Sequence, residues 1–280
     1  MKRRVLLQAS WTQQFTPFSE SRKATDSCVI ASGTLRSGTH MLQSIVRSLG
    51  KWEHIGVYVG LAAWDNQEAA GEKGVNPACA QKYAIKKLRN GQVVGAHLTW
   101  SKAIEKAITR VTPDRRIKLL FVYRDPRDSI ISRLRENAYP EMYPNSYSKT
   151  SQPEHMFLRD DYADDDKRLT WLLEESPTIR SYWSYVGWLQ NPHCLALKFE
   201  ELYPEFLGLR DNVIGDVLTG LLTYLEVDPA SVNPAELFNN AFGKGQTAAT
   251  DEDKVGRFRK FFKDHHYKII DNSDYRDVLQ

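Results

Sequence analysis

Residues 28–42 constrain the fold of this chain more than any other stretch. They begin with a short apolar run rich in β-branched residues, which predicts a buried strand, and continue into a loop of Gly, Ser and Thr. Apolar residues then recur at helical spacing until Gly50, which predicts the end of a helix. A strand, a tight loop and a helix in this order gather backbone N–H groups around one point, which suits a phosphate or sulfate. Read alone, the loop is also compatible with an ordinary turn between a strand and a helix.

Further apolar runs alternate with helical patterns along the chain. Residues 92–97 predict a strand that ends at His97, and the nearly continuous apolar run 117–123 predicts a strand covered on both faces that ends at Arg124. We therefore expect one α/β domain over residues 1–280, with a central, mainly parallel sheet flanked by helices and a P-loop-like anion-binding loop. Ligands of such sheets bind at the carboxyl ends of the strands, where Arg36, His97 and Arg124 fall.

Composition excludes several classes of function. The hydrophobic fraction of 41% and the charged fraction of 26% are those of a globular protein, and a net charge of +3 does not suggest a nucleic-acid partner. No apolar run approaches the roughly 20 residues that span a bilayer, so we expect no membrane partner and a cytoplasmic location. The cysteines Cys28, Cys79 and Cys194 are odd in number and far apart, which favours buried thiols over disulfides or metal ligands. We expect no metal site.

Other segments are less regular. Residues 1–25 predict an irregular N-terminal arm, and residues 51–77 predict long loops. Residues 137–168 form a long insert of the kind that serves as a lid or as an acceptor-binding loop. Its acidic residues between 160 and 166 predict a solvated loop, or alternatively a surface that attracts a cationic acceptor. Residues 169–189 predict an aromatic-rich helix.

Several short motifs resemble one enzyme family. Residues 35–40 (Leu-Arg-Ser-Gly-Thr-His) resemble the 5′-phosphosulfate loop of the sulfotransferases that use 3′-phosphoadenosine 5′-phosphosulfate (PAPS). Residues 122–132 resemble their 3′-phosphate segment, in which an Arg and a later Ser bind the nucleotide's 3′-phosphate. Residues 95–98 resemble the strand end that carries the catalytic base in the cytosolic branch. These pieces, with 198–202, occur in the family's order over residues 28–262.

The resemblance implies a sulfotransferase that moves the sulfuryl group of PAPS to a hydroxyl or amine of a small molecule and releases 3′-phosphoadenosine 5′-phosphate (PAP). It assigns the general base to His97, whose ordinary pKa of about 6.5 suits proton transfer near neutral pH, and leaving-group stabilisation to Arg36. It implies two separated anion sites, one at the first loop and one at Arg124 and Ser132. The nucleotide-binding positions it implies are Arg36, Ser37, Gly38, Thr39, His40, Met41, Arg124, Ser132, Phe199, Phe242, Gly243, Lys244, Gly245 and Arg257.

Some positions depart from the family pattern. Met41 stands where the cytosolic branch often has an adenine-stacking Trp, so we expect Trp52 or Phe242 to provide the stacking surface. Residues 243–245 (Gly-Lys-Gly) resemble the C-terminal nucleotide loop without its Arg, which Arg257 and Lys260 are candidates to replace.

Two other functions are compatible with these motifs. A P-loop kinase or NTPase would also bind phosphate at the first loop, but that loop lacks the Gly-Lys-Ser/Thr ending that supplies the motif's Lys and magnesium-binding hydroxyl. A non-catalytic nucleotide-binding protein would keep the loop and the Arg while transferring nothing.

Overall fold

A computed structural model describes residues 25–59, 81–82, 85–113, 115–138, 164–176, 181–242 and 254–272. Several sequence predictions lie outside these residues: the N-terminal arm apart from Thr25, the central part of the long insert, and the loop of Gly243, Lys244 and Gly245. None of the helices it describes is long and apolar enough to cross a membrane.

The core of the fold is a five-stranded sheet. Its strands are β1 (Cys28–Gly33), β2 (Glu53–Val59), β3 (Gln92–Ala96), β4 (Ile117–Tyr123) and β5 (Cys194–Lys198). Their order across the sheet is β2-β3-β1-β4-β5, and every neighbouring pair is parallel. This arrangement confirms the predicted α/β fold and places β1 at its centre.

Helices connect and cover the strands, as parallel pairing requires. The helices with more than one turn are α1 (Thr39–Ser48), α2 (Lys102–Thr109), α3 (Pro126–Ala138), α4 (Asp165–Glu175), α5 (Phe199–Gly208), α6 (Asp216–Tyr224), α7 (Pro234–Phe242) and α8 (Asp264–Asp271). Short 3₁₀ helices occupy Ser181–Trp188, Leu209–Asp211, Pro229–Ser231 and Arg257–Lys260.

Both faces of the sheet are buried because successive side chains of each strand point to opposite sides. Val29 and Ala31 of β1 pack against a cluster formed with α1, α5, α6 and α7. Cys28 and Ile30 face the other way, into a cluster that includes α2 and the 3₁₀ helix Ser181–Trp188. A third apolar cluster joins α3, α4 and α8 beside the sheet.

Three local predictions were wrong. Residues 53–59 form edge strand β2 instead of a loop, since their Ile-x-Val-x-Val alternation suits a sheet with one open edge. The aromatic segment is not one helix: α4 ends at Glu175, shortly before Pro177, and a separate 3₁₀ helix begins at Ser181. The acidic stretch is not all loop, because Asp164 caps α4 by accepting a hydrogen bond from the Lys167 amide at 2.9 Å.

Candidate functional site

The loop after β1 has the shape of an anion-binding turn. Arg36 and Gly38 adopt left-handed backbone conformations, with φ of 63° and 94°. The buried Ser37 hydroxyl lies 2.7 Å from the Thr34 carbonyl and 2.8 Å from the Val122 carbonyl, which pins the loop to β4. The first turn of α1 then begins at Thr39 and directs amide N–H groups, which have no acceptor within the helix, toward the same side.

Phe199 supports this loop from beneath. A Cβ atom added to Gly38 would lie 2.6 Å from the Phe199 ring, so only glycine permits the contact and the positive φ together. The ring is almost fully buried and also stacks on the Arg124 guanidinium, whose carbon lies 4.5 Å from the ring centroid. Phe199 therefore forms a platform under the loop, between Gly38 and Arg124.

His97 follows β3 at the carboxyl end of the sheet, where the loop after β1 also lies. Its ring is held by the last residue of β1. Its Nδ1 lies 2.8 Å from the Gly33 carbonyl oxygen, which can only accept, so Nδ1 carries the proton in the neutral ring. Nε2 is then the ring nitrogen with the lone pair. Burial lowers the pKa of His97 to about 4; the nearby His40 and Arg36 act in the same direction and the Gly33 hydrogen bond opposes them. His97 is accordingly neutral at pH 7.

Arg124 follows β4 and is buried beside the loop. Its Nη1 donates to the Arg36 carbonyl at 3.3 Å, and its Nη2 donates to the Lys254 carbonyl. The Asp128 carboxylate lies 3.9 Å from Nη2, so Arg124 and Asp128 form a long ion pair. These contacts fix the plane of the guanidinium at the edge where β1 and β4 end.

Arg36 joins the two predicted anion sites. Its Nε donates to the Ser132 hydroxyl of α3 at 3.2 Å, although the two residues are far apart in sequence. Its carbonyl accepts from Arg124, as described above. The structure thus links Arg36 of the first predicted anion site directly to Ser132 and Arg124 of the second.

Asp128 was missed as a site residue because the sequence marks it only as part of a helix start. Its side chain is almost fully buried and accepts hydrogen bonds from the amides of Gly256 at 2.6 Å and Phe258 at 2.9 Å. These bonds tie the segment that carries Arg257 to α3, next to Arg124. No signal in the sequence pairs these positions, which lie more than a hundred residues apart.

The remaining predicted positions lie on α1, at the end of α7 and in the core. Thr39, His40 and Met41 form the first turn of α1, with Thr39 buried and His40 exposed. Phe242 is the last residue of α7. Trp52 is not available to stack on a base, because it is buried in the core and its Nε1 donates to the Ser27 carbonyl at the opposite edge of the sheet, at 3.1 Å.

The acidic residues of this stretch that the structure describes form hydrogen bonds or ion pairs within the chain. Asp165 pairs with Arg168 at 3.2 Å, and Asp166 pairs with Lys263 at 3.0 Å. Together with the helix cap at Asp164, these contacts give the described part of the acidic stretch a structural role.

No family model matches the chain, and no curated protein matches its sequence. Among solved structures, mouse sulfotransferase SULT7A1 complexed with PAP aligns with a TM-score of 0.53 at 12% identity, covering 92% of this chain and 90% of that chain. Retinol dehydratase in a complex with retinol and PAP aligns at 0.49, with 12% identity over 90% and 83% of the two chains. The sulfotransferase domain of the Synechococcus PCC 7002 olefin synthase aligns at 0.41, with 12% identity over 90% and 96%. This chain therefore has the fold of the mouse sulfotransferase.

Proposed function

We propose that this protein is a sulfotransferase that transfers the sulfuryl group of PAPS to a hydroxyl or amine of a small-molecule acceptor. The observation that carries the proposal is His97: a buried, neutral imidazole whose Nδ1–H is fixed by Gly33, at the same sheet edge as the loop of Arg36 and Gly38. An unprotonated nitrogen beside an anion-binding loop is what transfer of a sulfuryl group from a phosphosulfate anhydride to a hydroxyl needs.

The residues at this edge suit a nucleotide with phosphates at its 3′ and 5′ positions. The Thr34 and Thr39 hydroxyls are buried and have no hydrogen-bond partner among the described residues, so each can donate to an anion seated in the loop. Arg36 and the loop amides would hold the 5′ end, and Arg124 with Ser132 would hold the 3′-phosphate. Such a donor supplies an electrophilic sulfuryl group attached to a phosphate that can leave.

His97 would then act as the general base. Its Nε2 takes the proton of the acceptor's O–H or N–H while the acceptor oxygen or nitrogen bonds to sulfur and the bond from sulfur to the bridging phosphate oxygen breaks. Arg36 and the loop N–H groups stabilise the negative charge that grows on the leaving phosphate. The low pKa of His97 keeps Nε2 unprotonated at neutral pH, and the negative charge of a bound donor would strengthen it as a base.

A non-catalytic nucleotide-binding protein is the second candidate. The observation that favours it is the pKa of about 4 at His97, which makes the imidazole a weak base when the site holds no anion. The two candidates differ in whether any acceptor is sulfated.

The thiols also bear on the location of the protein. The free thiols Cys28 and Cys194 fit a reducing compartment such as the cytoplasm.

His97→Ala separates the candidates. For the sulfotransferase we expect loss of transfer by at least about 100-fold, because proton removal by the base is lost, with PAP affinity nearly unchanged. Transfer is measured by mass spectrometry as the gain of one SO₃ group on acceptors from a metabolite panel, and PAP binding as a thermal shift that ATP does not reproduce.

The matched control is His265→Ala, since His265 is exposed on α8 and outside the site. This variant should transfer and bind like the unaltered protein. Transfer that survives His97→Ala would contradict the assigned base. Tight PAP binding without transfer to any acceptor would instead support the non-catalytic candidate.

A further inference from the structure

A second basic site lies at the opposite edge of the sheet. A cleft there, which we call the amino-edge cleft, is lined by Lys86, Arg89, Arg110, Thr112 and Arg115. Lys86 and Arg89 precede β3, and the other three residues lie between α2 and β4. Because the strands are parallel, the cleft is separated from the Arg36 loop by the length of a strand, about 20 Å for β4.

Arg115 forms the floor of the amino-edge cleft. It is only 5% exposed, yet its guanidinium meets no carboxylate among the residues that the structure describes. Its Nη1 donates to the Ile85 carbonyl at 3.4 Å and its Nη2 to the Arg110 carbonyl at 3.3 Å, which holds the group between the two walls. Its Nε is buried and finds no acceptor in the described part of the chain. A nearly buried guanidinium with this few partners can still donate to a ligand.

The walls add further positive charge. Lys86 and Arg110 are exposed, and across the described ranges neither forms an ion pair with an acidic side chain. Arg89 donates from Nη1 to the carbonyls of Lys86, at 3.2 Å, and Leu88, at 2.9 Å, so its guanidinium is held against the backbone of residues 86–88. Four cations around one cleft repel one another, and an anion between them would offset that repulsion and the burial of Arg115.

The volume of the cleft restricts the ligand. It measures about 270 Å³, slightly below the range of roughly 300–1,000 Å³ that is typical of pockets for whole small molecules. Arginine forks bind tetrahedral oxyanions such as phosphate and sulfate through paired N–H groups, and lysine adds a point charge. The cleft therefore suits one or two such groups better than a complete nucleotide.

We propose that the amino-edge cleft binds a compact, multiply charged oxyanion, namely a phosphate or sulfate group that is free or carried as an ester. Arg115 contributes the fixed donor at the floor, and Lys86 and Arg110 close over the anion from the two walls. The site is separate from the proposed nucleotide site, and it exists whether or not the proposed transfer takes place.

The test is calorimetric titration of the full chain with pyrophosphate and with phenyl phosphate, in the presence of saturating PAP and in its absence. We expect Lys86→Gln and Arg110→Gln each to weaken pyrophosphate binding about tenfold, since each removes a charge-assisted contact. Both residues are exposed, so these variants should fold. Tighter binding of pyrophosphate indicates a free oxyanion, and tighter binding of phenyl phosphate indicates an ester.

The matched control is Lys106→Gln, which removes an exposed positive charge from α2 one turn before Arg110 and outside the cleft. This variant should bind pyrophosphate within about twofold of the unaltered protein, because only diffuse charge is lost. Absence of binding of both pyrophosphate and phenyl phosphate, or equal weakening of binding by all three variants, would overturn the proposal. Failure of PAP to bind would contradict the proposed function alone, since none of the three substituted residues lies at the carboxyl edge of the sheet.

Discussion

His97 is constrained twice by its surroundings. The Gly33 carbonyl fixes the proton on Nδ1, and burial makes the charged imidazolium unfavourable. A carbonyl partner would favour protonation in an exposed site, so the lowered pKa shows that burial and the neighbouring Arg36 and His40 dominate. Burial, which keeps the ring neutral, therefore also makes folding sensitive to acid, and the Gly33 hydrogen bond only partly offsets this effect.

We predict that His97 destabilises the fold as the pH falls from about 6.5 to about 4. The pKa is about 4 in the folded state and near 6.5 in the unfolded state, so the unfolded chain binds more protons in this window and stability is lost on acidification. The expected loss due to His97 is on the order of 3 kcal/mol at pH 4. Urea unfolding at a series of pH values should show a flatter dependence for His97→Gln than for the unaltered protein. Equal slopes in the two proteins would contradict the buried, neutral state.

At the residue scale, the sequence predicts which side chains meet but not how they are held. Arg36, His97 and Arg124 each follow an apolar run, and parallel pairing brings the ends of such runs to one edge. Their partners are out of reach of sequence patterns, because the Ser132 hydroxyl and the Gly33 carbonyl approach them only through the packing of the whole sheet. For the same reason the joining of the two anion sites through Arg36 was not predicted.

The connection from β1 to α1 depends on a close packing contact. Gly38 turns the chain into α1 while it lies against the Phe199 ring at the start of α5. This contact sets the position of the loop relative to Arg124, because the same ring stacks on the guanidinium. A displaced ring would therefore disturb the loop and Arg124 together.

We predict that Gly38→Ala destabilises the protein and weakens PAP binding. The added methyl group lies 2.6 Å from the Phe199 ring and sits on a backbone with φ of 94°. Gly50→Ala is a suitable control, since Gly50 has φ of 71° and open space around its Cβ position. The backbone term of about 1 kcal/mol should appear in both variants, and the overlap with Phe199 should add about 1–3 kcal/mol only at Gly38. Equal free energies of unfolding for the two variants would show that the Phe199 ring moves aside with no loss of stability.

Helices and strands were predictable where a single spacing of apolar residues continued through the whole segment. The runs that became β1, β4 and α3 are long and bounded by clear turn residues. Strand β2 was missed because its alternation is short, within a strand of 7 residues, and a Gly- and Ala-rich stretch without a sustained period follows it. The aromatic segment after α4 was misassigned because burial of its aromatic residues against the sheet, as at Tyr185 and Trp188, does not by itself distinguish an α-helix from a 3₁₀ helix.

At the scale of the whole molecule, Asp128 links parts of the chain that the sheet does not join. It lies on α3, and its two carboxylate oxygens accept the amides of Gly256 and Phe258, just before and within the 3₁₀ helix Arg257–Lys260. Phe258 is in turn buried in the cluster of α3, α4 and α8. The C-terminal part of the described chain is thereby attached next to Arg124, whose guanidinium donates to the Lys254 carbonyl.

We predict that Asp128→Asn loosens this attachment without disrupting the sheet. The amide that replaces one carboxylate oxygen faces a backbone N–H, so two donors oppose each other in a site where the side chain is 1% exposed. The free energy of unfolding should fall by about 2–3 kcal/mol, and hydrogen exchange should rise first at residues 254–262. Asp26→Asn removes an exposed carboxylate that pairs with Arg116 at the surface and should cost less than about 1 kcal/mol. If Asp128→Asn weakens PAP binding while exchange in the sheet stays slow, the C-terminal segment contributes to the nucleotide site through its attachment to α3. If exchange at 254–262 is unchanged, Asp128 does not hold that segment.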